Sequence, residues 1–142
     1  MIEVREARDD AERAAAMAIR HTVFVDEQDV PVELEVDGLD DGAAHLVAVR
    51  DGTVVATCRL IAHGTTVHLG RLAVDASARR QGIAGMLVGA ADEWARAHGA
   101  DRLMLSAQTY AVDLYLAAGY IAVGKPYLEA GIEHVDMELD LG

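Results

Sequence analysis

The stretch Leu69-Gly70-Arg71-Leu72-Ala73-Val74-Asp75-Ala76-Ser77-Ala78-Arg79-Arg80-Gln81-Gly82-Ile83-Ala84-Gly85-Met86-Leu87 decides the fold. It reads as an apolar strand, a short polar connection, and a helix whose first turn holds Gly82, Ala84 and Gly85. A helix N-terminus presents unpaired N–H groups and the positive end of the helix dipole, and small residues let an anion approach the backbone closely. Arg79 and Arg80 add charge at the same end. For the helix alone they are unfavourable by about 0.3–1 kcal/mol each, and a bound polyanion reverses that cost. A P-loop is excluded because Gly-Lys-Ser/Thr is absent, and Gly82, Gly85 and Gly89 lack the dinucleotide-binding spacing. The plainer alternative is a strand-to-helix turn with solvated arginines and glycines that serve packing.

Upstream, Ile2 to Glu6 alternates like a strand. Asp9 is a good N-cap, and from it Ala11, Ala14, Ala15, Ala18, Ile19 and Thr22 recur at helical spacing. Pro31 and Gly38 break the pattern, so this region reads as loop with a turn of helix. His45 to Arg50 and Thr53 to Ala62 are β-rich runs joined by Asp51-Gly52, a two-residue hairpin signal. His63-Gly64 turns the chain into a third run, Val67 to Val74. Downstream, Ile83, Leu87, Ala90, Ala91 and Trp94 share a helical face that ends near His98-Gly99. Arg102 to Ala107 predicts a strand, Ala111 to Ala118 a short helix stopped by Gly119, and Tyr120 to Val123 and Ile132 to Leu139 two more strands. No linker, low-complexity segment or repeat divides residues 1–142, so one domain is expected. The element order predicts an α/β fold with a mixed central sheet and helices on both faces.

The chain of 142 residues carries a net charge of −12, with eleven arginines and a single lysine, Lys125. Its 52% hydrophobic content excludes disorder. No apolar run is long enough to span a membrane, and Met1 to Asp10 carries four acidic residues and no signal-peptide core, so a cytoplasmic protein without a membrane partner is expected. Cys58 is alone and reads as a reduced thiol. The acidity argues against a nucleic-acid partner. Composition does not separate coding bias from salt adaptation. Residues 1 to 41 hold thirteen acidic and four basic residues, against eleven and eight in the remainder. Asp26 to Asp41 holds eight acids and no base.

Arg79-x-x-Gly82-x-Ala84, after an apolar strand and before Leu87, resembles the acyl-CoA pyrophosphate loop of the GNAT superfamily of N-acyltransferases. Gln108-x-x-Ala111-x-x-Leu114-Tyr115-x-x-x-Gly119-Tyr120 is similar to that family's Asn-x-x-Ala-x-x-Leu-Tyr-x-x-x-Gly-Phe helix, with Gln for Asn and Tyr for Phe. Arg20-x-x-Val23-Phe24-Val25-x-Glu27-Gln28, Glu35-x-Asp37, Asp40, His45 and Gly131-Ile132-x-His134-x-x-Met137 resemble the ElaA/YjcF-like bacterial branch. The resemblance covers nearly the whole chain.

It implies a GNAT-like fold and an N-acetyltransferase that uses acetyl-CoA, without a metal, to acylate a primary amine on a small molecule or peptide. A homodimer is compatible with it. It implies that a nest of N–H groups from Gln81, Gly82, Ile83, Ala84 and Gly85, together with the charges of Arg79 and Arg80, holds the pyrophosphate. The backbone of Leu72, Ala73 and Val74 would pair with pantetheine, and an amide there would polarise the thioester carbonyl. Gln108 would bond to pantetheine or cap its helix, and Tyr115 would protonate the leaving thiolate; its other reading is a packed aromatic. The Glu that many relatives carry before the loop is not evident, since Gly70 stands there. Glu27, Glu35, His68, His134 or a water relay remain candidates for the base, and Glu27, Glu35 and His134 for the acceptor side. The acidic run reads as solvated surface, an amine-attracting wall, or, least well, a calcium site, since it lacks EF-hand order; the histidines have no zinc spacing. A noncatalytic acyl-CoA-binding or sensing module, and a purely structural domain, are the rival readings.

Overall fold

The computed structural model describes all residues, Met1–Gly142. Seven strands form one sheet: β1 (Ile2–Glu6), β2 (Ala44–Arg50), β3 (Thr53–His63), β4 (Thr66–Val74), β5 (Arg102–Gln108), β6 (Ile121–Glu129) and β7 (Ile132–Asp140). Their order is β1-β2-β3-β4-β5-β7-β6. Every pairing is antiparallel except β4 with β5. That parallel pair requires a crossover, which α3 (Ile83–Ala97) supplies.

β2 shows why helices cover both faces. Leu46 and Ala48 belong to the main core with Leu87 and Ala91 of α3, while Val47 and Val49 pack with Ala16 of α1 (Asp10–Arg20). Alternation along a strand sends those pairs to opposite faces. Asp9 caps α1 by accepting from Glu12 N–H at 2.9 Å, as expected.

Three expectations need correction. The buried face of α1 is Ala16, Ile19, Arg20 and onward to Val23, whereas Ala11, Ala14, Ala18 and Thr22 are exposed. A charged residue occupies a core position, so apolar periodicity assigned the wrong stripe. Strand β6 runs on to Glu129, well past Val123, because Gly124 and Pro126 are tolerated there. It is the sheet edge, where a missing N–H costs nothing, and a bulge between Val123 and Tyr127 absorbs the irregularity. The turn Ala130-Gly131, at φ 51° and 76°, then closes a β6–β7 hairpin. Lastly, the acidic run is not uniformly solvated: α2 (Val32–Glu35) buries Glu35 to 6% exposure. Between α1 and α2, a π-helical stretch, His21–Glu27, carries the chain across the end of β4.

Candidate active site

The site begins at a defect in β4. Thr57 pairs with Ala73 and Arg59 with Gly70, so Arg71 and Leu72 together face Cys58. This is a β-bulge, and Arg71 adopts φ 54° to make it. Pairing of β4 with β5 extends only from Thr66–Arg102 to Leu69–Leu105, and beyond it the strands diverge. The end of β4 therefore has one unpaired edge. Asp75 N–H donates to Val55 on the β3 side, so by strand alternation the N–H and C=O of Val74 face the gap. Into this gap opens a cavity of about 1210 Å³. That exceeds the roughly 300–1,000 Å³ of ordinary ligand pockets and has room for two substrates. Leu72, Ala73 and Val74 line it.

The turn that follows is set for an anion. Arg80 and Gly82 take left-handed φ values of 62° and 79°, and Gly82 precedes α3 without a side-chain cap. No main-chain N–H from Arg79 to Gly85 donates to a protein acceptor; the first satisfied one is Met86, bonded to Gly82 at 3.2 Å. Unpaired amides of this kind, at the head of a fifteen-residue helix, are donors that can receive an anion such as phosphate. The two arginines differ. Arg79 donates to Val74 C=O at 3.0 Å and to Glu27 at 2.6 Å, whereas Arg80 has no carboxylate partner and lines the cavity. The Gln81 side chain accepts from Arg50 at 2.9 Å, away from the cavity, and leaves only its amide to the nest.

Tyr115, on α4 (Val112–Ala117), is 7% exposed and lines the same cavity, edge-on to Tyr120 at 5.8 Å. Its hydroxyl has no partner within the protein, and burial pushes its ionisation well above that of an ordinary phenol. Gln108 ends β5 and donates to Gln28 at 2.8 Å. Cys58, fully enclosed, has its thiol pushed up to about 12 by burial and is no nucleophile at neutral pH.

The acidic run meets arginines that sequence reading had not associated with it. Arg20, 1% exposed, donates to Glu35 at 2.6 Å and Asp40 at 2.7 Å. Arg59 clasps Asp37 at 2.8 and 2.9 Å and reaches Asp40 at 3.1 Å. Arg71 donates to the carbonyls of Leu34 and Glu35 and to Asp37. Hydrogen bonding to Arg59 holds the Asp37 carboxyl far below its ordinary value. For Asp40, burial pulls upward, but Arg20 and Arg59 outweigh it and the net direction is down. Glu35 is thus a structural partner of Arg20 and Glu27 of Arg79, which leaves neither as an unengaged acceptor for an amine.

At the opposite end, the β6–β7 hairpin supplies a second polar group. His134 is 8% exposed, with Nδ1 at 2.7 Å from Ile132 C=O and Nε2 at 3.8 Å from Glu129. Tyr127 donates to Asp136 at 2.5 Å and bonds Ser106. His68 lies in this region, its pKa lowered by burial and by His63. Tyr127 lies across from His134 and Glu129 across from Ile132, and the polar alternation Tyr127-x-Glu129 that signals this group falls in the part of β6 beyond Val123.

Fold and site together are those of an acyl-CoA-dependent N-acyltransferase. The chain belongs to the GNAT acetyltransferase family, whose domain matches residues 8–141. It is 34% identical over 135 residues to the uncharacterized N-acetyltransferase YjcF of Bacillus subtilis, covering 94% of this chain and 96% of that one. A Pseudomonas aeruginosa acyl-CoA N-acyltransferase structure superposes with a TM-score of 0.85 at 34% identity, covering 97% and 98% of the two chains. Escherichia coli ElaA superposes with a TM-score of 0.86 at 27% identity over 97% and 99%. These likenesses place it in the ElaA/YjcF-like branch. Acyl-CoA is accordingly the cosubstrate and an amine the acceptor. No helix is long and apolar enough to cross a membrane.

Proposed function

We propose that the protein transfers an acetyl group from acetyl-CoA to a primary amine by direct attack. The observation that carries this is the continuity of two backbone surfaces in one cavity: the unpaired amides from Arg79 to Gly85 and the edge of β4 that no strand covers, where only the Val74 carbonyl is engaged, by the Arg79 side chain. Pyrophosphate fits the first, with Arg80 as its unengaged cation. Pantetheine fits the second, along Leu72, Ala73 and Val74, which brings the thioester toward the bulge, where an amide N–H polarises its carbonyl. Gln108 hydrogen-bonds the pantetheine arm. Tyr115 donates to the departing thiolate. Direct attack is favoured over an acyl-enzyme because Cys58, the single thiol, is enclosed and protonated. His134 stands on the acceptor side.

Calorimetry with acetyl-CoA, followed by thiol release across polyamines, amino sugars, aminoglycosides and peptide N-termini, tests the reading. Binding without turnover on every amine would identify a sensing module instead. No binding at millimolar acetyl-CoA would remove both.

A further inference from the structure

We propose that Glu129 and His134 form the amine site: Glu129 holds the acceptor as its ammonium, and His134 Nε2 removes the proton that frees the lone pair. This rests on the acyl-transfer reading and specifies its acceptor end.

A carbonyl only accepts, so the 2.7 Å contact of His134 Nδ1 with Ile132 C=O puts a proton on Nδ1. In the neutral ring Nε2 is then the bare lone pair, and it faces a carboxylate oxygen of Glu129 at 3.8 Å. Two acceptors confront one another with no donor between them. Ser106 does not supply one. Tyr127 gives its proton to Asp136, which as a carboxylate can only accept, so the Ser106 proton satisfies Tyr127 and not Glu129 Oε2, at 3.4 Å. A primary ammonium carries several N–H donors on one atom and satisfies both groups at once.

Charge singles out the same place. Four carboxylates line the cavity, and Glu27, Glu35 and Asp37 are each held by an arginine. Glu129 has no arginine or lysine partner. Glu129 precedes the Ala130-Gly131 turn with its side chain 60% exposed, while the near-parallel ring of Tyr127, 6.2 Å away at 22°, backs the imidazole. The other groups around His134 are Gln108, its neighbour on β5, and Asp136 on its own strand.

In the reaction, one ammonium proton passes to Nε2 and the amine lone pair forms the C–N bond at the thioester carbon. Collapse breaks C–S. The departing thiolate accepts a hydrogen bond from Tyr115 and takes up the second amine proton, and His134 returns its own proton to solvent.

The test has a spectroscopic and a kinetic arm. In 15N spectra of the imidazoles, neutral His134 shows Nδ1 protonated and Nε2 bare. n-Butylammonium shifts Nε2 in the wild type and not in Glu129→Gln. A proton on Nε2 of the neutral ring, or a butylammonium response that is absent from the wild type or unaltered in Glu129→Gln, overturns the proposal. Kinetically, His134→Gln lowers kcat for n-butylamine about a hundredfold or more, the ordinary scale of a lost general base. For 2,2,2-trifluoroethylamine, neutral under the same conditions, the loss is far smaller; equal losses overturn the base role. Should neither amine be acylated, the spectroscopic arm decides alone. Calorimetry keeps the two readings apart: a wild type that does not bind acetyl-CoA defeats the transferase reading, whatever the imidazole shows.

Discussion

Replacing Tyr115 with Phe tests the leaving-group step with little disturbance to the fold. The ring is 7% exposed and packs edge-on against Tyr120, but its hydroxyl bonds nothing in the protein, so its removal orphans no partner. The melting temperature should not move. The catalytic effect follows from two ionisations. Ordinary values of about 10 for a phenol and about 8.5 for a thiol make full proton transfer to a thiolate uphill by about 2 kcal/mol. Burial raises Tyr115 further, with Cys58 and Tyr110 adding to it, but the same burial raises a thiolate held beside it, so the difference governs. Tyr115 therefore acts chiefly by donating a hydrogen bond to the developing charge. Such a bond is worth about 1.5–3 kcal/mol, and at 1.36 kcal/mol per tenfold kcat falls about ten- to a hundredfold. Thiol release at saturating acetyl-CoA and amine measures kcat, and calorimetry confirms an unaltered acetyl-CoA affinity. An unchanged kcat, or a kcat loss matched by a lower melting temperature, would refute the reasoning.

Arg80→Ala should weaken CoA about tenfold, with a flatter salt dependence, because Arg80 is the cation at the nest that no carboxylate engages; calorimetry at two salt concentrations checks it. Glu27→Gln should act in the opposite direction and tighten CoA by at most about fivefold, since it frees Arg79 from a half-exposed ion pair worth up to about 1 kcal/mol. Weaker binding in that variant would mean that Glu27 positions Arg79 for phosphate. For Asp37 and Asp40 the folded pKa lies below the unfolded one. Their stabilisation is therefore complete above the unfolded value of about 3.9 and drains away as pH falls below it. Asp37→Asn should lower stability at neutral pH and shrink the loss on acidification, as read by urea melts at several pH values.

The strand and helix order was legible because Asp51-Gly52, His63-Gly64, Gly99 and Gly119 punctuate runs of clear period. The strand-to-helix turn proposed to hold the pyrophosphate was visible because its residues are consecutive, from Arg79 to Gly85. What stayed hidden depends on pairing across the chain. Arg20 looks like a polar interruption of a helix until Glu35, fifteen positions later, is folded against it. Arg79 meets Glu27 across 52 positions, which no local pattern encodes. The β4 bulge was invisible for another reason: Arg71 at φ 54° is held there by Leu34, Glu35 and Asp37, and an arginine is not a residue whose type announces a left-handed backbone.

The same long-range pairs change what the net charge of −12 means for the cavity. Glu27, Glu35, Asp37 and Asp40 are met by Arg79, Arg20, Arg59 and Arg71, so the wall built by the acidic run is close to neutral. Charge within the cavity then remains at two places, positive at Arg80 and the head of α3, and negative at Glu129 on the β6–β7 turn. With a screening length of about 8 Å at physiological salt, the diffuse acidity elsewhere on the surface contributes little at either place. A polyanionic cosubstrate and a cationic amine are thus drawn to opposite ends of one cavity. The bulge of β4 lies between those ends, beside the strand edge proposed to receive the thioester.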